Sequence, residues 1–239
     1  MGTKERQDRE RQAVTASILD AARQLFLVEG YANVSIRKIA ERIEYSPAAI
    51  YSYFPSKDDI FFALAEEGFR LLAQLGMKAA EHSSDPLKRI RAGLWAFYEF
   101  SKAHAQYFDL MFIDRSVPNL SQDFQRFEFF QQITAAAEAD IRACIERGQF
   151  SRQLDPAAAL HVLWVGMLGA ATIGLAQRLA PGEDADALAR DVLDSILAGF
   201  TTNQITSTFV ASECAFHAQT ADAEPALASA KAGSHVERP

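Results

Sequence analysis

Residues 35–54 read SIRKIAERIEYSPAAIYSYF, and this stretch decides the fold. Ser35 precedes Ile36, Ile39, Ala40 and Ile43, whose spacing puts four apolar side chains on one helical face. Ser46-Pro47 is a second start signal. A hydroxyl caps the first amides, and proline loses nothing at the first helical position. The helix it opens runs to about Tyr53 and is about 10 Å long at 1.5 Å per residue. Two short helices across a tight turn, held on a preceding helix, make a helix-turn-helix.

The surface of that unit suits a nucleic acid. Ala48 and Ala49 carry almost no side chain, so the backbone they sit on can approach a groove wall. Ile50 must face inward, which leaves Tyr51, Ser52 and Tyr53 on the rim with Lys57 beyond. Hydroxyls and an ammonium there suit phosphate oxygens, which fix position without reading sequence. Arg37 can make a bidentate contact to a guanine edge. The competing reading of Arg37 is a plain solvated charge.

Outward from this unit, start and stop signals mark a helical chain. A first helix is expected over about Arg11–Val28, ended by Gly30. Ser56 caps a long fourth helix to about Glu81, and Asp85-Pro86 opens a fifth. Further helices are expected over Gln106–Ile113, Ser121–Gly148, Pro156–Leu179 and Glu183 to about Val210. No segment alternates like a strand. The expected fold is all-α: an N-terminal three-helix helix-turn-helix domain (1–57), then a larger helical ligand-binding and dimerisation domain (58–217). Residues 218–239, Ala-rich with few bulky apolar groups, read as a disordered tail.

The 239 residues carry a net charge of −7, unevenly placed. Up to Lys57, nine Lys and Arg stand against seven Asp and Glu; the remainder holds fifteen against twenty-four. Only the N-terminal quarter is suited to an acidic polymer. Cys144 and Cys214 are far apart without metal or redox spacing. The charged N-terminus has no apolar core of a signal peptide, so a reducing cytoplasm is expected.

Residues 157–176 lack any charged side chain over twenty positions, which is membrane-spanning length. The segment is about half Ala and Gly, is interrupted by His161, and starts at a soluble-type Asp155-Pro156 cap. A buried helix–helix seam is the preferred reading, and no membrane partner is expected. Gly166, Ala170 and Gly174 form a smooth stripe, and Val192, Ile196 and Phe200 lie on the next helix. Two copies of this helix pair are expected to form a four-helix homodimer interface through these six residues.

Phenylalanines crowd the second half: Phe97, Phe100, Phe108, Phe112, Phe124, Phe127, Phe129 and Phe130. Most must be core, yet so many around 121–132 exceed one buried face. Phe97, Phe100, His104, Phe108, Phe112, Phe127, Gln131 and Trp164 are therefore candidates to line a ligand cavity, with Tyr98 and His161 as further polar groups. Each polar one has a competing reading as a satisfied buried residue.

The pattern Ser35-x-x-x-Ile39-Ala40, then Tyr45-Ser46-Pro47-Ala48-Ala49-Ile50-Tyr51-x-Tyr53-Phe54-x-x-Lys57-x-x-Ile60, resembles the DNA-binding domain of the TetR family of bacterial transcriptional regulators. The resemblance covers about residues 13–61 and implies phosphate contacts at Tyr51 and Lys57. It also implies that Arg37, Pro47, Ala48, Ala49 and Ser52 face the major groove. With the rim and caps added, the candidate DNA-contacting set is Ser35, Arg37, Ser46, Pro47, Ala48, Ala49, Tyr51, Ser52, Tyr53 and Lys57. Many members carry glycine where this chain has Glu44; a left-handed residue there costs about 1 kcal/mol without glycine. YFDLMF at 107–112 and the Trp164–Gly169 spacing look like one subgroup of the family's C-terminal domain.

No Gly-rich phosphate loop, HExxH, GxSxG or metal-ligand cluster is present, so no enzyme reaction, cofactor or metal is expected. The resulting expectation is a homodimeric repressor that binds a palindromic double-stranded DNA operator and is released by a small hydrophobic inducer. The alternatives are a ligand-free helical interaction protein and an all-α enzyme.

Overall fold

The computed structural model of the chain describes residues 3–114 and 128–201, and these are helical with no strand among them. Among the described residues nine α-helices follow in order: α1 (Thr3–Glu29), α2 (Ile36–Arg42), α3 (Pro47–Tyr51), α4 (Lys57–Ala80), α5 (Pro86–Ala103), α6 (Ala105–Phe108), α7 (Glu128–Glu146), α8 (Pro156–Leu175) and α9 (Ala185–Thr201). Phe124, Phe127, the expected helix start at Ser121, Cys214 and the tail all lie outside the described residues.

The caps expected from sequence are in place. Ser35 Oγ accepts from Lys38 N at 3.3 Å, Ser46 Oγ from Ala49 N at 3.1 Å and Ser56 Oγ from Asp59 N at 3.2 Å. Asp85 caps α5 and also accepts from Gln149 Nε2 at 2.9 Å, which ties the start of α5 to the turn after α7. Several boundaries differ from expectation; α8, for one, ends at Leu175 and not at Leu179, since Gln177 takes a positive φ of 51°. α3 stops at Tyr51, because Ser52 and Tyr53 turn the chain into Phe54. α1 begins at Thr3, eight residues before Arg11, because nothing in TKERQDRE breaks a helix.

α1, α2 and α3 close around Ile18, Ala22, Phe26, Ile39, Ala40 and Ile50, all buried. The core continues into the first half of α4, where Phe61 meets Phe26 and Tyr31 edge-on at ring distances of 5.5 and 4.9 Å. Further along α4, Leu72 and Ala73 belong to the second half of the molecule, with α5, α7 and α8 around them. α4 is thus a common wall, about 36 Å long at 1.5 Å per residue.

α8 meets the length and composition of a membrane span. Here it packs against α5, α7 and α9, with Ala158, Ala159, Leu163, Met167, Ala170 and Ala171 buried. Its inner face is thus part of the core, while Val165, Ile173 and Leu175 on the other side are exposed. The small-residue stripe, expected to meet a second copy, faces α9 of the same chain instead. A Cβ on Gly166 would lie 2.5 Å from Ile196 Cδ1, and one on Gly174 3.4 Å from Ala185 Cβ. Ala170 is buried, and Phe200 packs on Phe150 at 5.5 Å. The small side chains let α9 of the same chain lie close on α8.

Candidate DNA-binding surface and ligand cavity

The turn between α2 and α3 is held by a left-handed residue. Glu44 has φ 60°, Tyr45 N donates to Ala40 O at 2.9 Å, and Glu44 N to Glu41 O at 3.4 Å. This bond pair terminates α2 as glycine would. Glu44→Gly is expected to relieve up to about 1 kcal/mol of this strain, read as a raised denaturant midpoint at unchanged slope.

The candidate DNA residues divide by what their side chains already do. Arg37 is 82% exposed and, among the described residues, pairs with Glu41, one turn on, at 2.8 Å. Pro47, Ala48 and Tyr51 are exposed, with Ala49 half-buried behind them. The hydroxyls of Ser35 and Ser46 accept backbone amides and keep their O–H to donate. Ser52 Oγ donates to Ala49 O at 2.7 Å. The ring of Tyr53 carries the Arg11 guanidinium at 4.9 Å. Lys57 is not a free rim cation: its ammonium donates to Tyr31 O at 3.0 Å and sits 3.8 Å from the ring centre. Tyr31 also donates to Asp58, so the start of α4 is fastened to the chain after α1. Tyr45, quoted in the motif but not among the DNA candidates, is exposed beside the turn.

A cavity of about 260 Å³ lies between α4, α5, α7 and α8. Of the eight ligand candidates, Phe97, Phe112 and Trp164 line it, as does His161. Phe112 and Trp164 meet at a ring distance of 6.2 Å. Phe100 and Phe108 do not line it; both are fully buried behind the wall, Phe108 packing on Phe97 and Phe112. His104 lies against Phe100, outside the lining. Gln131 does not line it; its neighbour Gln132, equally exposed, stands at the cavity's edge instead, one residue being enough to change a helix face. Phe127 lies outside the described residues. Tyr98 donates to Asp186 on α9 at 2.8 Å, and burial, with Asp186 adding to it, pushes its phenol up to about 12.

Two glycines form part of the lining that sequence reading missed. A Cβ on Gly76 of α4 or Gly93 of α5 would meet nothing within 4 Å. Glycine in a helix interior costs about 1 kcal/mol against alanine, and here its effect is to leave the cavity open. Polar groups are few. Arg89 forks onto Asp140, with Nε 3.0 Å from Oδ1, and Glu138 pairs with Arg142 at 2.8 Å. His161 Nδ1 lies 2.7 Å from Ala157 O, which can only accept, so that nitrogen carries the proton. Cys144 is buried, and burial pushes its thiol up to about 11, so it is no nucleophile. No cluster suited to a metal occurs among the described residues.

The cavity and the three-helix unit share one connector. After α6 the chain makes a π-helical turn, Asp109–Ile113. Its Phe112 lines the cavity, while Tyr107 carries Arg23 of α1 at 5.5 Å. Arg23 in turn pairs with Glu67 of α4 at 2.9 Å. A Cβ on Gly68 would sit 2.5 Å from Met111 Sδ, so α4 and this turn touch backbone to side chain.

Known families match both halves. Residues 18–64 match the bacterial regulatory proteins of the tetR family, and residues 90–196 the tetracyclin repressor-like C-terminal domain. The chain belongs to the TetR family. It is a transcriptional regulator and not an enzyme. It is 32% identical over 80 residues to the HTH-type transcriptional regulator HbdR of Aromatoleum sp. (strain CIB), which covers 34% of this chain and 35% of that one. It is 28% identical over 95 residues to the HTH-type transcriptional activator FasR of Mycolicibacterium smegmatis, covering 40% and 43%. The chain therefore spans well under half the length of these relatives. In fold it is similar to the transcriptional regulator FadR from Bacillus subtilis, solved in complex with stearoyl-CoA. That likeness has a TM-score of 0.65 at 18% identity, over 77% of this chain and 98% of that one.

Proposed function

We propose that this regulator is a homodimeric, cytoplasmic repressor of a palindromic operator, released when a hydrophobic small molecule enters the α4/α5/α7/α8 cavity. The observation that carries this reading is an apolar cavity whose wall, α4, is also the wall of the helix-turn-helix unit. A ligand pressing on Phe112 displaces the turn that touches both Gly68 of α4 and, through Tyr107, Arg23 of α1. Its effect on DNA is population shift: it favours conformers with misplaced recognition helices, and operator affinity falls by linkage.

The lining favours neutral or cationic hydrophobic compounds. Its one cation among the described residues, Arg89, is engaged by Asp140, and Glu138 adds a second carboxylate. The stearoyl-CoA of the FadR neighbour joins an apolar chain to a polyanion. The chain suits this wall, whereas phosphates inside it would lack a free counter-charge. Thermal-shift screening followed by anisotropy of a labelled operator tests this. Compounds that raise the melting temperature should also release DNA; stabilisation by phosphorylated metabolites alone would refute it.

The dimer is proposed to form through the outer face of α8 and α9. Val165 is 59% and Ile173 40% exposed, with Val192 and Ile196 half-buried alongside. Ile173→Arg and Val165→Glu leave the subunit core alone and should yield folded monomers by light scattering. A soluble dimer in both variants would place the interface elsewhere.

A further inference from the structure

α1, the longest helix among the described residues, reaches the recognition unit only from Arg11 onward. α1 starts at Thr3, fifteen residues ahead of the stretch that matches the family, and residues 4–13 are exposed throughout. This arm is nonetheless fixed in direction. Arg11 Nη2 donates to Ser52 O at 3.2 Å, and its guanidinium lies over the Tyr53 ring at 4.9 Å. The arm thus leaves the body beside the C-terminal end of the recognition helix.

Its charges are sorted by face. At about 100° per residue, Lys4, Gln7 and Arg11 fall within about 60° of one another, in line with the buried Ile18 and Ala22. Glu5 and Glu10 lie off this face, and Asp8 stands at its edge. On the far side, Arg6 pairs with Glu10 at 3.3 Å, and Arg9 Nε donates to Glu5 O at 3.3 Å. No apolar side chain occurs from Thr3 to Gln12. The arm therefore has no seam for a second helix and no wedge for a membrane.

We propose that this arm is a second DNA contact, in which Lys4 and Gln7 engage backbone phosphates flanking the site where α3 docks. This rests on the DNA-binding reading above and extends it. From Arg11 to Lys4 the helix spans about 10 Å, about three base-pair steps along the duplex at 3.4 Å each. The contact is continuous with the recognition surface through Arg11. It adds affinity without sequence preference, because phosphates are alike at every step.

The test compares the pair Lys4→Ala/Gln7→Ala with the pair Arg6→Ala/Arg9→Ala, in the full chain, on a 30-base-pair duplex of arbitrary sequence. The first pair removes one positive charge and the second removes two. Loss of one phosphate contact should lower affinity about eightfold at 0.1 M salt and cut the salt slope by about one unit. The far-face pair should change both less, despite its larger charge loss. Circular dichroism verifies that the arm stays helical in each. An effect ranked by net charge, or no effect of the first pair, overturns the proposal. Failure of the wild-type chain to bind any duplex would instead remove the DNA-binding reading itself, and the arm contact with it.

Discussion

Gly93→Leu is expected to raise the melting temperature of the free protein by roughly 5–16 °C and to abolish its response to ligand. The leucine replaces a helix-interior glycine, which contributes about 1 kcal/mol in helix propensity. Its side chain enters a cavity where a Cβ meets nothing within 4 Å, and burying a leucine there contributes about 1.5–3 kcal/mol. For a chain of this size each kcal/mol moves the midpoint by about 2–4 °C. The same side chain occupies the space between Phe97, Leu94 and the α7 residues that a ligand would need. Differential scanning fluorimetry with and without hits from the screen reads both effects. A destabilised variant, or one that still responds to ligand, would show that the space at Gly93 is not the ligand's.

Ala48→Glu is expected to lower DNA affinity by at least a hundredfold while leaving the fold intact. Ala48 is exposed in the first turn of α3, where it has no core contact to lose. A carboxylate there is mildly favourable for the helix, since it sits near unpaired N–H groups. Against the phosphate backbone it is a like charge, and such juxtapositions cost several kcal/mol across an interface. The combination separates this variant from a folding mutant: melting temperature is maintained while anisotropy titration shows binding lost. Affinity within threefold of wild type would mean that α3 does not meet DNA by this face.

The two halves of the molecule differed in how far sequence could be read. In the helix-turn-helix, each signal is local. Ser35 and Ser46 cap within three residues, Pro47 starts a helix by its own ring, and Ile36, Ile39, Ala40 and Ile50 are inward by period alone. Local rules suffice there, while the left-handed Glu44 was marked only by the resemblance to the family, many of whose members carry glycine at that position. What local rules could not show was Lys57, whose ammonium is held by Tyr31, twenty-six residues earlier in the chain.

In the second half the sequence determined composition and periodicity, and tertiary packing decided direction. Phenylalanine is equally suited to a wall and to the core behind it, so Phe97 and Phe112 could not be told from Phe100 and Phe108 until α4, α7 and α8 were placed around them. A glycine stripe permits close approach without naming the partner; the chain's own α9 took that place. Gly76 and Gly93 carry no side chain to announce a role, and only the empty space opposite them gives them one. Sequence by itself determined an all-helical chain with a helix-turn-helix at its N-terminal end. Only the tertiary structure decided which apolar atoms face one another and which face a cavity, because burial drives apolar groups together without specifying which pair meets.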